Sequence, residues 1–208
     1  MFFKAVDDFG TMRWSELRGD TWVNPITGSS ASEDRAPAVC EPSVAGCEIF
    51  NTEDGYAATE DIHNGLIHLA YRSRLQSDDQ TSPTTIIWGS YDGTTSDAWV
   101  GPHNTGILTT NVPAITSDGT NVYMAWRRLE DDHIAWSVLV GSQWREPRLL
   151  EDRHTSGSPA LGASAQGQLV MTWVSSTDDQ VYWSRFHDDQ WDAPQVFTDR
   201  RAVGVGLA

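Results

Sequence analysis

Three aromatic residues, Tyr71, Trp126 and Trp173, each end a short apolar alternation just before a polar turn. Arg72 and Arg127 follow the first two, and Val174 follows the third; Phe3 with Lys4 is a fourth, shorter instance. A flat ring offers its face to the apolar side of a pyranose, and a neighbouring guanidinium offers donors to hydroxyls or a carboxylate. Asp132, His133, Asp178 and Asp179, in the turns that follow, could add acceptors. These nine residues (Tyr71, Arg72, Trp126, Arg127, Asp132, His133, Trp173, Asp178 and Asp179) form the candidate ligand-binding set. A competing expectation is that Trp126 and Trp173 face inward with Met124 and Met171, which share their strand parity.

Other chemistry finds less support. The sequence has no Gly-x-Ser-x-Gly, Walker loop or dinucleotide fingerprint, so no catalytic residue and no cofactor is assigned. Arg72, Arg74, Arg127 and Arg128 could join an arginine cluster by type alone. The six histidines follow no metal-binding spacing, and no metal ligand is assigned. Paired carboxylates recur at equivalent turns (Asp7-Asp8, Asp131-Asp132, Asp178-Asp179, Asp188-Asp189), which points to turn formation over acid–base work.

The elements that must position the candidate set are written in the tryptophans. All ten fall on one repeating template. Trp-x-x-Pro occurs four times, at Trp22-Val-Asn-Pro25, Trp99-Val-Gly-Pro102, Trp144-Arg-Glu-Pro147 and Trp191-Asp-Ala-Pro194. Trp14, Trp88, Trp136 and Trp183 precede them, and Trp126 and Trp173 each lie ten residues before the preceding Trp of their own copy. Within the third copy, Val122, Met124 and Trp126 alternate with Tyr123 and Ala125, and Ile134, Trp136 and Val138 with Ala135 and Ser137. Each run predicts a strand. Val112–Ile115 precedes them as a first strand, and Trp144–Leu150 follows as an edge strand carrying Pro147. The fourth copy repeats this order. A unit of four strands joined by tight turns is a propeller blade, and repeats of about 45–50 residues indicate an array of blades.

The expected fold is therefore all-β: a four-bladed β-propeller in one domain. Blade 1 comprises 1–27 plus 202–208, blade 2 36–105, blade 3 110–150 and blade 4 156–198. Blade 2 starts at Ala36-Pro-Ala-Val39 and carries insertions near 40–62 and 76–85. Blade 1 lacks its own first strand, and Val203–Ala208 fills that slot, so the ring closes by pairing the C-terminal strand with the N-terminal blade and leaves no open sheet edge.

The 208 residues carry a net charge of −15. That balance argues against nucleic acid and anionic membranes, which are bound through Lys and Arg. The chain has no apolar run long enough for a membrane span and no signal peptide ahead of the first strand. Cys40 and Cys47 could close a small disulfide, or remain two thiols; the compartment, cytoplasmic or secreted, stays open.

The turn before each Trp-x-x-Pro carries a family resemblance. Ser15-Glu-Leu-Arg-Gly19-Asp-Thr-Trp22 and Ser137-Val-Leu-Val-Gly141-Ser-Gln-Trp144 share one pattern, and Ser184-Arg-Phe-His-Asp188-Asp-Gln-Trp191 replaces the Gly. The spacing resembles the Asp-box, Ser-x-Asp-x-Gly-x-x-Trp, of sialidases and other β-propellers, with Leu17, Leu139 and Phe186 in place of the Asp. The whole repeat is similar to those of fungal and bacterial β-propeller lectins. The Asp-box resemblance implies a structural turn; the lectin resemblance implies non-catalytic carbohydrate binding at repeated rim sites, with glycans or glycoproteins as partners and oligomers compatible with it. Two alternatives stand beside it: an enzyme acting on a glycan or small molecule through the inserted loops of blade 2, and a protein-interaction scaffold.

Overall fold

A computed structural model describes residues 2–4, 12–14, 16–18, 21–23, 56–73, 84–92 and 99–207. Its regular structure is all β and all antiparallel. Among the described residues there is no helix, hence none long and apolar enough to cross a membrane. Two short hairpins, β1 (Phe2–Lys4) with β2 (Met12–Trp14) and β3 (Glu16–Arg18) with β4 (Thr21–Val23), precede three larger sheets. Sheet II runs β5 (Tyr56–Asp61), β6 (Leu66–Arg72), β7 (Thr84–Tyr91), β8 (Trp99–Thr109) in simple up-and-down order. Sheet III repeats it with β9 (Ala114–Ser117), β10 (Val122–Arg127) and β11 (His133–Val140). Its last strand is split into β12 (Gln143–Trp144) and β13 (Arg148–His154), both paired to β11. Sheet IV is the same again: β14 (Ala160–Ala163), β15 (Leu169–Val174), β16 (Gln180–His187), then β17 (Gln190–Trp191) and β18 (Gln195–Arg201). Pro147 and Pro194 sit in the two breaks, where a residue without an N–H interrupts an edge ladder at least cost.

The first strand β9 lies beside both β5 and β14, and sheet III packs against sheets II and IV through its two faces. Strand alternation sends the two faces of sheet III into two cores. Val122, Met124 and Trp126 pack with Ala70, Ile86 and Trp88 of sheet II. Tyr123, Ala125 and Trp136 pack with Leu161, Met171, Trp173 and Trp191 of sheet IV. At each seam the third-strand Trp of one sheet meets the Trp-x-x-Pro Trp of the next edge to face. Trp88 and Trp144 lie 5.8 Å apart at 85°, Trp136 and Trp191 6.2 Å apart at 86°. The side chains of Trp14, Trp22 and Trp99 lie outside the described residues.

The turn motif has a physical role. Ser137 Oγ donates to the carbonyl of Arg145 (2.6 Å), and Ser184 Oγ donates to that of Asp192 (2.7 Å). Each pins the residue after the motif Trp to the third strand. Leu139 and Phe186, in the Asp position, join the apolar seams. Gly141 (φ 62°) and Asp188 (φ 49°) occupy the same left-handed turn position, which Asp tolerates better than most residues. Asp132 (φ 63°) and Asp179 (φ 58°) do so in the preceding turn.

Two placements differ from the sequence expectation. The strand that pairs with β6 is Tyr56–Asp61, inside the stretch expected to be an insertion. Its Ala-Ala-Thr centre carries no strong β signal, and the turn after it is closed by Asp61, whose side chain accepts from His63 N (3.0 Å) and whose carbonyl accepts from Gly65 N (2.8 Å). Residues 36–39, the Cys40/Cys47 pair and most of the 76–85 insertion lie outside the described residues. At the other end, Val203–Leu207 form no strand among the described residues; Leu207 packs against Gly162 of β14.

Candidate functional site

Strand parity decides where the candidate residues point. Residues adjacent in a strand face opposite sides, so Trp126 and Arg127 cannot act on one ligand from one face. Trp126 turns toward sheet II and is 3% exposed. Arg127 turns the other way and is consumed by structure. Its Nε donates to the Thr155 carbonyl (3.1 Å), and Nη1 to Thr110 Oγ1 (2.9 Å) and Asn111 Oδ1 (3.3 Å). Nη2 pairs with the Asp132 carboxylate. The guanidinium thus clasps the exit of sheet II, the β10–β11 turn and the entry to sheet IV.

The other predicted residues are similarly engaged. Tyr71 and Arg72 are buried, at 1% and 3% exposure. Tyr56 packs edge-on to Tyr71 at 5.2 Å, and burial pushes the Tyr71 phenol up. His133 lies with Nδ1 3.1 Å from Asp131 Oδ2, Nε2 2.9 Å from the Glu151 carbonyl and its ring 3.9 Å from that of His154. Trp173, 2% exposed, stacks on Tyr182 at 5.7 Å with the Arg153 guanidinium 5.5 Å from its centroid. Asp178 Oδ1 accepts from the Gln180 N–H (3.1 Å) and Oδ2 from the Tyr182 hydroxyl (2.9 Å). Those bonds, the Gln180 N–H first, hold its carboxyl below the usual carboxylate range. Asp179 is exposed in its left-handed turn. The open stacking face expected of Tyr71, Trp126 and Trp173 is therefore absent: each ring is core.

Trp126 and Trp173 nevertheless close the bottoms of two pockets in equivalent places. The first, about 330 Å³, lies on the seam between sheets II and III. Ile107 and Leu108 wall it from β8, Pro147 and Leu149 from the far side, and Arg128 and Glu130 stand at its mouth. Arg128 Nε and Glu130 Oε2 are 3.3 Å apart. The second, about 170 Å³, lies on the seam between sheets III and IV. There Asp152 and His154 replace Gly106 and Leu108, Ser175 and Thr177 replace Arg128 and Glu130, and Tyr182 replaces Ala135, which accounts for the smaller volume. Pro194 repeats Pro147. The matching of the seams is fixed by two fully buried threonines. Thr109 Oγ1 donates to the Arg127 carbonyl (3.1 Å) and Thr155 Oγ1 to that of Val174 (3.1 Å).

No protein-family model matches this chain, and no curated protein does. Among solved structures it is similar to a fucose lectin from Kordia zhangzhouensis in complex with methyl-fucoside, at 14% identity and a TM-score of 0.45, over 69% of this chain and 98% of that one. It is also similar to AofleA from Arthrobotrys oligospora, at 10% identity and a TM-score of 0.46, over 74% of this chain and 46% of that one.

Arg128 and Glu130, with Leu108 and Leu149, line the larger pocket and lie outside the candidate set. Parity was the available signal: two residues beyond Trp126, not one, lies the cation on its own side of the strand. A third cavity, about 400 Å³, adjoins the first along the same seam and shares Ile107 and Pro147 with it. Trp88, Trp144, His103, Asn104, Gln143 and Glu146 are among its lining residues.

Proposed function

We propose that the chain is a non-catalytic carbohydrate-binding protein, a lectin, whose sites are the pockets repeated between its sheets. We further propose that these sheets are blades of a four-bladed β-propeller. The observation that carries the reading is the recurrence of one pocket at two consecutive seams, built from the same strand ends. A catalytic centre needs one constellation, whereas recognition modules gain avidity from copies of a weak site. The chemistry of the larger pocket suits a pyranose. Leu108 and Leu149, 46% and 37% exposed, offer an apolar wall to C–H groups, while Arg128 supplies donors and Glu130 acceptors for hydroxyls. The smaller pocket offers hydroxyls of Ser175, Thr177 and Tyr182 with the carboxylate of Asp152. The nine sequence candidates then divide: Trp126, Trp173 and His133 shape or flank the pockets, Arg127, Asp132, Asp178 and Asp179 hold the turns around them, and Tyr71 and Arg72 are buried away from both pockets.

Ring closure is the natural completion of this pattern. Trp183 occupies the third-strand position of Trp88 and Trp136, and it is half-buried with the Arg185 guanidinium 5.0 Å from its ring. In the two seams described, that position meets the next Trp-x-x-Pro tryptophan; Trp22 and Trp99 remain, and in a closed ring the copy that follows Trp183 is the first, which carries Trp22. A glycan array tests the function. Binding by the wild type that is lost in Arg128→Ala and Glu130→Gln, with unchanged melting, is the expected result. An array with no positive glycan would overturn the reading.

A further inference from the structure

We infer that the seam between the second and third blades is one extended groove with two subsites, and that its ligand is an oligosaccharide of at least two units rather than a single sugar. This rests on the carbohydrate reading above. Two cavities of about 330 and 400 Å³ meet there, and Ile107 and Pro147 belong to both. The saddle between them is a side chain and a ring, and among the described residues no hydrogen bond crosses it. Their chemistries are complementary. The upper part presents an apolar wall with Arg128 and Glu130 at its mouth. The lower part presents Asn104, Gln143 and Glu146 around the tryptophan pair Trp88 and Trp144. Two linked sugars offer that combination, ring faces for the apolar surfaces and hydroxyls for the polar ones.

The neighbouring seam supplies an internal control. His103 pairs across from Trp88 in its sheet, and Arg148 pairs across from Trp136 in the next. His103 lies 4.9 Å from the Trp88 ring, and Arg148 sits 5.0 Å from the Trp136 ring. Arg148 then reaches across its seam to the following sheet. Its Nη1 donates to Asp189 Oδ2 (2.8 Å) and to the Asp189 carbonyl (3.2 Å). Arg153 crosses the same seam: its Nη2 donates to the carbonyls of Asp192 (2.5 Å) and Trp191 (3.4 Å). The place corresponding to the lower subsite is thus spanned by the protein's own side chain. In the blade 2–3 seam the equivalents of Arg148 and Asp189 are His103 and Ser142, an imidazole and a hydroxyl too short to make that bridge. One seam is closed below its pocket and the other is open along its length.

The experiment grafts the bridge. The double variant His103→Arg/Ser142→Asp copies Arg148 and Asp189 into the open seam and leaves Arg128, Glu130 and Trp126 in place. Binding to wild type and variant is measured by calorimetry with two probes for each array-positive glycan: the methyl glycoside of its terminal sugar, and the di- or trisaccharide itself. The wild type is expected to bind the oligosaccharide at least about tenfold more tightly than the methyl glycoside, about 1.4 kcal/mol. The graft should reduce that ratio to about twofold or less while leaving methyl glycoside affinity unchanged. The exposed pair Gln143→Ala/Glu146→Ala should lower the ratio in the same direction, and it guards against a graft that fails to fold. Equal affinity for both probes in the wild type, or a ratio that survives both variants, overturns the two-subsite inference and leaves the carbohydrate reading standing. Absence of binding to any glycan overturns both.

Discussion

Trp126→Ala is expected to act on stability before it acts on any ligand. Trp126 is 3% exposed and is packed between Met124, Ala135 and the side chains of sheet II. A buried tryptophan removes roughly 150–250 Å² from water, worth roughly 4–6 kcal/mol at about 25 cal/mol per Å². An extended-chain reference overstates burial by roughly 10–40%, so the expected loss is about 3–5 kcal/mol, in the range of large aromatic truncations in cores. The assay is urea unfolding followed by far-ultraviolet circular dichroism, with Arg128→Ala in parallel. Arg128 is partly exposed and paired with Glu130 at the surface, so its removal should change stability by less than about 1 kcal/mol. The midpoint should therefore fall steeply for Trp126→Ala and barely move for Arg128→Ala, with similar slopes. A loss under about 1 kcal/mol for Trp126→Ala would refute the reasoning: the ring would be a platform and not a floor.

Three further expectations follow from other parts of the fold. Ser137→Ala removes a buried donor and leaves the Arg145 carbonyl without it; a loss of about 1–2 kcal/mol in the same urea assay is expected, and a neutral result would strip the Ser of its role in the turn motif. Asp178 has a folded-state pKa below its ordinary 3.8, so the stability it confers is complete above that value and is lost as pH falls through the depressed one; melting scans from pH 5 to pH 2 should show a smaller acid-side drop for Asp178→Asn than for the wild type, and parallel curves would count against it. Deleting residues 202–208 removes Leu207 from its contact with Gly162 and with it the segment expected from the sequence to close the ring; a large fall in melting temperature or aggregation is expected, and an unchanged melt would refute closure by this segment.

What was legible in the sequence was whatever is local. Val122/Met124/Trp126 and Ile134/Trp136/Val138 alternate cleanly, and they are β10 and β11 as expected. The Trp-x-x-Pro frame marks the edge strands: Pro147 and Pro194 fall in the breaks between β12 and β13 and between β17 and β18, whereas Pro102 lies inside β8, beside a register shift. Tyr56–Asp61 carries no strand signal of its own, because its small and polar residues acquire strand structure from pairing with β6, a tertiary effect. Arg127 and Trp126 are neighbours in the chain, yet a pleated strand turns neighbours apart. Thr109 and Thr155 were invisible for a different reason: their hydroxyls matter through carbonyls 18 and 19 residues away. The pockets themselves form between sheets, so no window of one strand could have contained them.

The most direct measurement of the central claim uses the tryptophans as reporters. With an array-positive glycan, indole Nε1–H resonances are followed by heteronuclear NMR during titration and assigned by single substitutions. Shifts concentrated on Trp126, Trp88 and Trp144, with Trp173 responding at higher ligand concentration, are the expected result for recognition at repeated seams. Saturable binding that leaves all four resonances unmoved would contradict it and would place recognition elsewhere on the chain.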